Sequence, residues 1–201
     1  MKVIVLVGLP ASGKSSIADP TVKKYNIPIL ETGTFVFKEV EERGLEVSPD
    51  NIKAVSMECK EKSDSYFTEK LVQHAEKEYG DRKVIFVSGC RAMSEIDFLN
   101  EKFGRDNVMV IGFHASQDTR HKRIANPDRV GGAGAKAAED KALMNFDNFL
   151  AREKKELGFG VGSVFAMADI IIANEDRKYP FSTIEFNQFV FESVVRNFMD
   201  A

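Results

Sequence analysis

A glycine-rich stretch near the start of the chain constrains the possible fold more than any other feature. The stretch GLPASGKSS, residues 8–16, follows an apolar run at residues 3–7 and precedes a segment with helical spacing that begins at Lys14. It matches the pattern G-x-x-x-x-G-K-[ST] in the strand–loop–helix context that this pattern requires. Glycines let the backbone curl so that N–H groups point at phosphate oxygens, and the helix N-terminus adds a favourable dipole. The stretch therefore predicts a phosphate-binding loop between the first strand and the first helix.

Individual residues of this loop have separate expected roles. Lys14 is expected to reach the β- and γ-phosphates of a nucleotide, and the Ser15 hydroxyl is expected to bind Mg²⁺. The N-K-x-D sequence with which GTPases read guanine is absent from the chain. We therefore predict ATP and Mg²⁺ as cofactors. The residues expected to contact the nucleotide are Gly8, Ala11, Ser12, Gly13, Lys14, Ser15 and Ser16.

The rest of the chain alternates between two kinds of segment. Continuous apolar runs rich in β-branched residues are typical of strands that are buried on both faces of a parallel sheet. They occupy residues 3–7, 27–30, 84–87, 108–113 and 169–173. Helical spacing occupies residues 14–24, 35–43, 49–79 with a break near Ser63, 94–103, 118–124, 138–157 and 181–198. This alternation predicts an α/β fold of right-handed βαβ units. Pro20 is expected to end or kink the first helix early.

Size and charge limit the class of protein. The 201 residues are enough for a single α/β domain spanning residues 1–201. The net charge of −3 makes nucleic acid a possible partner but not a favoured one. No apolar run approaches the ~20 residues of a membrane helix, and nothing resembles a signal peptide, so we expect a cytoplasmic protein without a membrane partner, as a monomer or homodimer. Cys59 and Cys90 lack metal-ligand spacing and are expected to be reduced, partly buried thiols.

Beyond the loop, residues 1–176 resemble the adenylate-kinase-related P-loop kinases, especially an archaeal group of nucleotide-kinase-like proteins. The resemblance lies in the stretches ETGTFVFKEVEERGL, FVSGCRAMSEIDFL, HASQDTRHKRI and FLAREKKELGFGVGSVFAMADIIIANE. The last stretch is also similar to the end of dephospho-coenzyme A kinases. The resemblance implies a three-layer α/β/α P-loop NTPase fold whose five-stranded parallel sheet has the order 2-3-1-4-5. It also implies an acceptor-binding helical region at about 33–80 and a lid at about 125–155.

The same resemblance implies roles for four arginines. Arg91 matches the arginine that follows the third strand and holds the acceptor or the transferred phosphate. Arg120 and Arg123 match lid-base arginines that contact the ATP phosphates or adenine, and Arg152 matches a lid arginine that moves onto the γ-phosphate. An arginine fork suits the equatorial oxygens of a phosphoryl group in transfer. The alternative for Arg120, Arg123 and Arg152 is that they are solvated helix charges. Asn174 follows the fifth strand, where we expect it to line the adenine site.

The chain departs from the kinase pattern on the acceptor side. The related kinases have Asp-Gly, with an aspartate that manages the Mg²⁺ shell, where this chain has Ser88 and Gly89. Their T-G-D-x-x-R segment corresponds to residues 32–37, in which Thr34 replaces the aspartate and Phe37 replaces the phosphate-holding arginine. The residues expected to bind the nucleotide thus match the kinase pattern, whereas those expected to bind the acceptor differ from it.

Glu31 ends the second predicted strand, beside the expected position of the γ-phosphate. Kinases that phosphorylate a hydroxyl resemble one another in placing a carboxylate there, because a neutral hydroxyl benefits from a base in the transition state. A nucleoside monophosphate needs no such base, because its acceptor oxygen is already anionic. The alternative is that Glu31 is an acid whose position before a helix is favoured by the helix dipole.

These observations predict a phosphotransferase that moves the γ-phosphate of ATP to a nucleotide-like small-molecule acceptor, with a hydroxyl as a candidate for the group that is phosphorylated. The expected catalytic residues are Lys14, Glu31, Arg91, Arg123 and Arg152. Two alternatives are also enzymes: a conventional nucleoside monophosphate kinase, and a kinase for a hydroxyl on a modified base in DNA or RNA. A third is a nucleotide-binding regulatory protein that has lost catalysis, as the missing aspartate would suggest.

Overall fold

A parallel β-sheet forms the centre of the molecule. The computed structural model describes residues 1–126, 143–176 and 183–201. Within these ranges the five strands pair in parallel in the order β2-β3-β1-β4-β5, which confirms the predicted sheet and its order. The strands are β1 (Lys2–Val7), β2 (Ile29–Glu31), β3 (Val84–Ser88), β4 (Val108–His114) and β5 (Ile170–Ala173).

Helices connect the strands and cover both faces of the sheet. The predicted break near Ser63 is confirmed, because one helix ends at Lys62 and the next begins at Tyr66. Most of the predicted lid, residues 127–142, lies outside the described residues. The helices are α1 (Lys14–Tyr25), α2 (Thr32–Glu42), α3 (Pro49–Lys62), α4 (Tyr66–Tyr79), α5 (Met93–Phe103), α6 (Gln117–Ala125), α7 (Phe146–Gly158), α8 (Val161–Ala166) and α9 (Ile184–Asp200).

The central strand β1 divides the core into two halves. Successive side chains of a strand point to opposite faces, so Val3 and Val5 pack on one side and Ile4 and Leu6 on the other. The first side is covered by helices α2 to α5 and α8, and the second by α1 and α9, whose Phe191 is fully buried. The predicted three-layer α/β/α arrangement is therefore confirmed.

Helix α1 does not end early at Pro20, as the sequence suggested, but continues to Tyr25. Proline has no N–H to donate to the carbonyl four residues before it, which here belongs to Ser16. The Gln188 side chain of α9 supplies a replacement, because its Nε2 donates to the Ser16 carbonyl at 2.8 Å. A contact with another helix thus compensates for the hydrogen bond that proline removes.

Among the helices of the described ranges, none is both long enough and apolar enough to cross a bilayer.

Candidate active site

One cavity of about 1000 Å³ lies at the carboxyl ends of the strands, where open α/β sheets bind their ligands. The loop between β1 and α1 forms its middle. We call the part next to Arg123, Asn174 and Asp176 the β5 end, and the part next to Glu31, Ser88, Arg91, Arg152 and Glu156 the β2 end. The predicted site residues that line the cavity are Gly8, Ala11, Ser12, Gly13, Lys14, Ser15, Ser16, Glu31, Arg91, Arg123, Arg152 and Asn174. Of the predicted set, Arg120 is not among them.

The loop takes a shape that depends on glycine. Gly13 has a φ of 94°, in the left-handed region, and a Cβ at this position would collide with the Asn174 side-chain amide. Lys14 follows as the first residue of α1, and its Nζ donates to the Gly8 carbonyl at 2.7 Å. Burial lowers the pKa of Lys14 to about 8, although the carboxylates of Glu156 and Glu31 oppose this shift.

Arg123 and Asn174 hold the backbone of the loop from the β5 end. Arg123 Nη1 donates to the Ala11 carbonyl at 3.1 Å, and Asn174 Nδ2 donates to the Ser12 carbonyl at 3.0 Å. Arg123 Nη2 also donates to the Asn174 carbonyl at 2.8 Å and to Asp176 Oδ1 at 2.6 Å. Both residues are thus positioning groups for the loop. Their direct contact with a nucleotide stays a prediction.

Arg120 lies elsewhere, in the protein interior. It is only 5% exposed, its Nε donates to the Ala115 carbonyl at 2.9 Å, and its Nη1 forms an ion pair with the buried Glu153. Its guanidinium also lies 5.6 Å from the centre of the Phe149 ring. The expectation that Arg120 contacts ATP is therefore not supported, because a buried carboxylate on α7 holds the guanidinium away from the cavity.

Glu156 joins two of the predicted arginines at the β2 end. It is 6% exposed, and its carboxylate accepts from Arg91 Nε at 2.6 Å and from Arg152 Nε at 2.9 Å. Burial raises the pKa of Glu156, but the two guanidiniums outweigh burial and hold this pKa below its ordinary value. Glu156 is not among the site residues predicted from the sequence. The spacing of Arg152 and Glu156 by four residues on one helix was the available signal.

The backbone around Arg91 is fixed by two close contacts. Glu95 Oε2 accepts from the backbone N–H of Arg91 at 2.7 Å and of Ala92 at 3.0 Å, at the start of α5. Gly160, in the turn between α7 and α8, has a φ of 98°, and a Cβ there would lie 2.9 Å from the Arg91 carbonyl. Because this turn passes so close to Arg91, the end of α7 brings Glu156 alongside the arginine.

Glu31 lines the cavity from the end of β2. It is the residue before α2, its side chain makes no hydrogen bond to the N-terminus of that helix, and it is exposed. Ser88 lies beside it on β3 and is 8% exposed. The carboxylate is therefore accessible to a molecule in the cavity.

Comparison with known proteins agrees with this architecture. Residues 7–140 match the AAA domain family. A UPF0200 protein of Methanocaldococcus jannaschii is 30% identical over 176 residues, which cover 87% of this chain and 82% of the relative. A UPF0200 protein of Pyrococcus abyssi is 30% identical over 175 residues, which cover 87% of this chain and 88% of the relative.

Solved structures with this fold include two shikimate kinases. The enzyme from Acinetobacter baumannii, in complex with shikimate, has a TM-score of 0.52 at 12% identity, with 98% of this chain and 94% of that chain covered. The enzyme from Bacteroides thetaiotaomicron has a TM-score of 0.50 at 15% identity, with 97% and 98% covered. At such low identity these likenesses establish the fold alone. The chain therefore belongs to the UPF0200 family and has a P-loop kinase-like fold.

Proposed function

We propose that this chain is an ATP- and Mg²⁺-dependent phosphotransferase that moves the γ-phosphate to a hydroxyl of a small, nucleotide-like acceptor. One observation carries the proposal. The phosphate loop with Lys14 lines the same continuous cavity as three groups suited to the transfer step, namely Glu31, Arg91 and Arg152. Phosphoryl transfer depends mainly on positioning and charge stabilisation, for which both partners must share one site.

The residues at the loop fit a nucleotide and its metal. Lys14 and the exposed hydroxyls of Ser15 and Ser16 stand at the N-terminus of α1, which favours anions. In the described ranges no three His, Cys, Asp or Glu side chains come close enough together to hold a metal ion. In this proposal Mg²⁺ would be held by the Ser15 hydroxyl together with the phosphates of ATP, and it would supply positive charge to the phosphate being transferred.

Each residue at the β2 end has a chemical role in this proposal. A bond forms between the acceptor oxygen and the γ-phosphorus while the bond from that phosphorus to the bridging oxygen of ADP breaks. Glu31 takes the proton that the hydroxyl loses. Lys14, Arg91 and Arg152 stabilise the negative charge on the phosphoryl oxygens. The likeness in fold to proteins named shikimate kinases supports a small-molecule acceptor by analogy.

The proposal is tested by measuring ADP release with a panel of acceptors: nucleoside monophosphates, nucleosides, dephospho-coenzyme A and DNA that carries hydroxylated bases. At least one acceptor is expected to raise ADP release far above the rate with ATP alone. The Lys14→Ala variant should fold but lose this activity, because Lys14 neutralises phosphate charge and is not part of the apolar core. Tight ATP binding without acceptor-dependent ADP release would instead favour a regulatory nucleotide-binding protein. Turnover of nucleoside monophosphates alone would favour the conventional kinase.

A further inference from the structure

Two cations and one buried carboxylate form a compact group at the β2 end. Arg91 comes from the loop after β3, whereas Arg152 and Glu156 lie one turn apart on α7. The side chain of Glu156 is 8% exposed, and those of Arg91 and Arg152 are 35% and 29% exposed. The carboxylate thus lies behind the two guanidiniums, which keep partial access to solvent, and the group as a whole carries one positive charge.

The contacts of Glu156 determine how the arginines are presented. Oε2 accepts from Arg91 Nε at 2.6 Å and Oε1 from Arg152 Nε at 2.9 Å, so one carboxylate binds the Nε side of both guanidiniums. A guanidinium is planar and has a second edge with which it can bind an oxyanion. All three residues line the cavity. Fixing one edge of each guanidinium therefore sets the direction of the other.

We propose that Glu156 is a positioning residue, which holds Arg91 and Arg152 as one binding site for a phosphate oxyanion and lowers the net charge of that site from two to one. The inference rests on the proposed function for its role in turnover. Its effect on oxyanion binding can be measured without any turnover.

The lower charge has a consequence for the reaction. Without the Glu156 carboxylate, the two guanidiniums would bind a phosphate group more tightly before and after transfer, and uniform binding of this kind does not raise the rate of the chemical step. With Glu156 ionised, the arginines remain oriented but attract a resting phosphate less. Arg91 and Arg152 hold the pKa of Glu156 below its ordinary value, so the carboxylate keeps its charge at neutral pH.

A matched control lies on the same helix. Glu153 is 5% exposed and forms an ion pair with Arg120, but neither residue lines the cavity. Replacing either glutamate by glutamine removes one buried carboxylate from α7, which is paired with Arg91 and Arg152 in the case of Glu156 and with Arg120 in the case of Glu153. Loss of helix stability should therefore be common to both variants. A change in oxyanion binding should be specific to Glu156.

The experiment titrates inorganic phosphate into protein saturated with Mg²⁺ and ADP, by calorimetry at pH 7 and fixed ionic strength. Removing one negative charge a few ångströms from the bound phosphate should tighten binding on the order of tenfold in Glu156→Gln, and less so at high salt. Glu153→Gln should bind phosphate as the wild type does. With an acceptor from the panel, Glu156→Gln should lower kcat and the KM for ATP together, because the γ-phosphate is held more tightly before transfer but the arginines are less well oriented.

Phosphate affinity in Glu156→Gln equal to or weaker than that of the wild type would overturn the inference. If this variant does not fold, the comparison moves to Arg152→Gln, in which the group has no net charge. Adding Glu156→Gln to it restores one positive charge and should tighten phosphate binding on the order of tenfold over Arg152→Gln alone. An unchanged affinity in that pair would also reject the inference. Failure to find any acceptor would count against the proposed function. The phosphate titrations would then still decide whether Glu156 positions Arg91 and Arg152.

Discussion

Glu31 lies directly opposite Ser88 in the parallel register of β2 and β3, so that a carboxylate and a hydroxyl stand side by side at the carboxyl edge of the sheet. The resemblance to adenylate-kinase-related kinases implies an aspartate at the position of Ser88. In this chain the aspartate is missing there, but an acid on the neighbouring strand lines the same cavity. The acid at this edge of the sheet is therefore on β2 in this chain and not on β3. This position agrees with the proposed role of Glu31 as a base, which differs from that of an aspartate that manages the Mg²⁺ shell.

Replacing Glu31 by Gln tests whether it is the base. The variant keeps the size and polarity of the side chain, so its affinity for ATP should stay at the wild-type value. With a hydroxyl acceptor, kcat should fall by about 10²–10⁴, because the proton has no acceptor in the transition state. Steady-state ADP release with the acceptor identified in the screen measures this effect. A variant as fast as the wild type would show that Glu31 takes no proton.

The pKa of Lys14 predicts a proton uptake on nucleotide binding. Burial lowers this pKa to about 8, so roughly half of the free protein carries a neutral Lys14 at that pH. ATP phosphates favour the charged amine and raise its pKa, so binding at pH 8 should take up about half a proton. Calorimetry in two buffers of different ionisation enthalpy measures the uptake, which Lys14→Met should abolish.

The same lowered pKa links Lys14 to stability. The unfolded chain binds more protons than the folded one between about pH 8, the folded pKa, and the ordinary lysine value of 10.5. The contribution of Lys14 to the free energy of unfolding therefore rises with pH over this window. Denaturant titrations of the wild type and Lys14→Met should show the wild type gaining stability relative to the variant from pH 8 to pH 10. A constant difference would contradict the burial of a charged amine.

Gly13 offers a test of how the loop is packed. In Gly13→Ala the new Cβ would collide with the Asn174 amide, and the backbone φ of 94° is unfavourable for alanine, so the loop must shift. ATP affinity should therefore fall by at least about tenfold, and the free energy of unfolding should fall by about 1–2 kcal/mol. Gly158→Ala is the control. Apart from the adjacent residues and the backbone of α7 itself, no atom lies within 4 Å of its Cβ position, so stability should change by less than about 1 kcal/mol, with ATP affinity unchanged.

Arg120 is predicted to support stability rather than nucleotide binding. Arg120→Met leaves Glu153 buried without its cation, and the free energy of unfolding should fall by about 3–5 kcal/mol. At a temperature where the variant is folded, its ATP affinity should match the wild type. Adding Glu153→Met should recover much of the stability, as measured by urea titration. A large loss of ATP affinity in the folded variant would restore Arg120 to the nucleotide site.

The sheet could be predicted because each buried strand leaves an apolar run in the sequence. The apolar run predicted as the second strand, residues 27–30, begins earlier than β2 does, for a local reason. Ile27 is apolar because it packs beside the end of α1, where its N–H donates to the Val22 carbonyl at 3.1 Å, and the strand begins only at Ile29. Helix α8 was not foreseen either, since the six residues from Val161 to Ala166 are too few to display a helical period.

The site divides in the same way. The residues of the phosphate loop could be predicted because they form one contiguous motif in the sequence. Glu156 could not, because Arg91 is 65 positions away along the chain and only the close approach of the turn at Gly160 to the Arg91 backbone brings them together. The burial of Arg120 could not be predicted for a similar reason, because its partner Glu153 is 33 positions away along the chain.

The loop around Lys14 is held by side-chain hydrogen bonds from the β5 end of the sheet. Arg123 on α6 and Asn174 after β5 donate hydrogen bonds to its carbonyls. The groups at the β2 end come from other elements: Glu31 from β2, Arg91 from the loop after β3, and Glu156 from α7. In the proposed function, the contacts that support the phosphate loop and the groups at the β2 end are therefore separate sets of side chains. Substitutions at the β2 end that keep the contact between Arg91 and Glu156 would leave the hydrogen bonds of Arg123 and Asn174 to the loop in place. Over evolutionary time, this separation would let the proposed acceptor change while the nucleotide stayed the same.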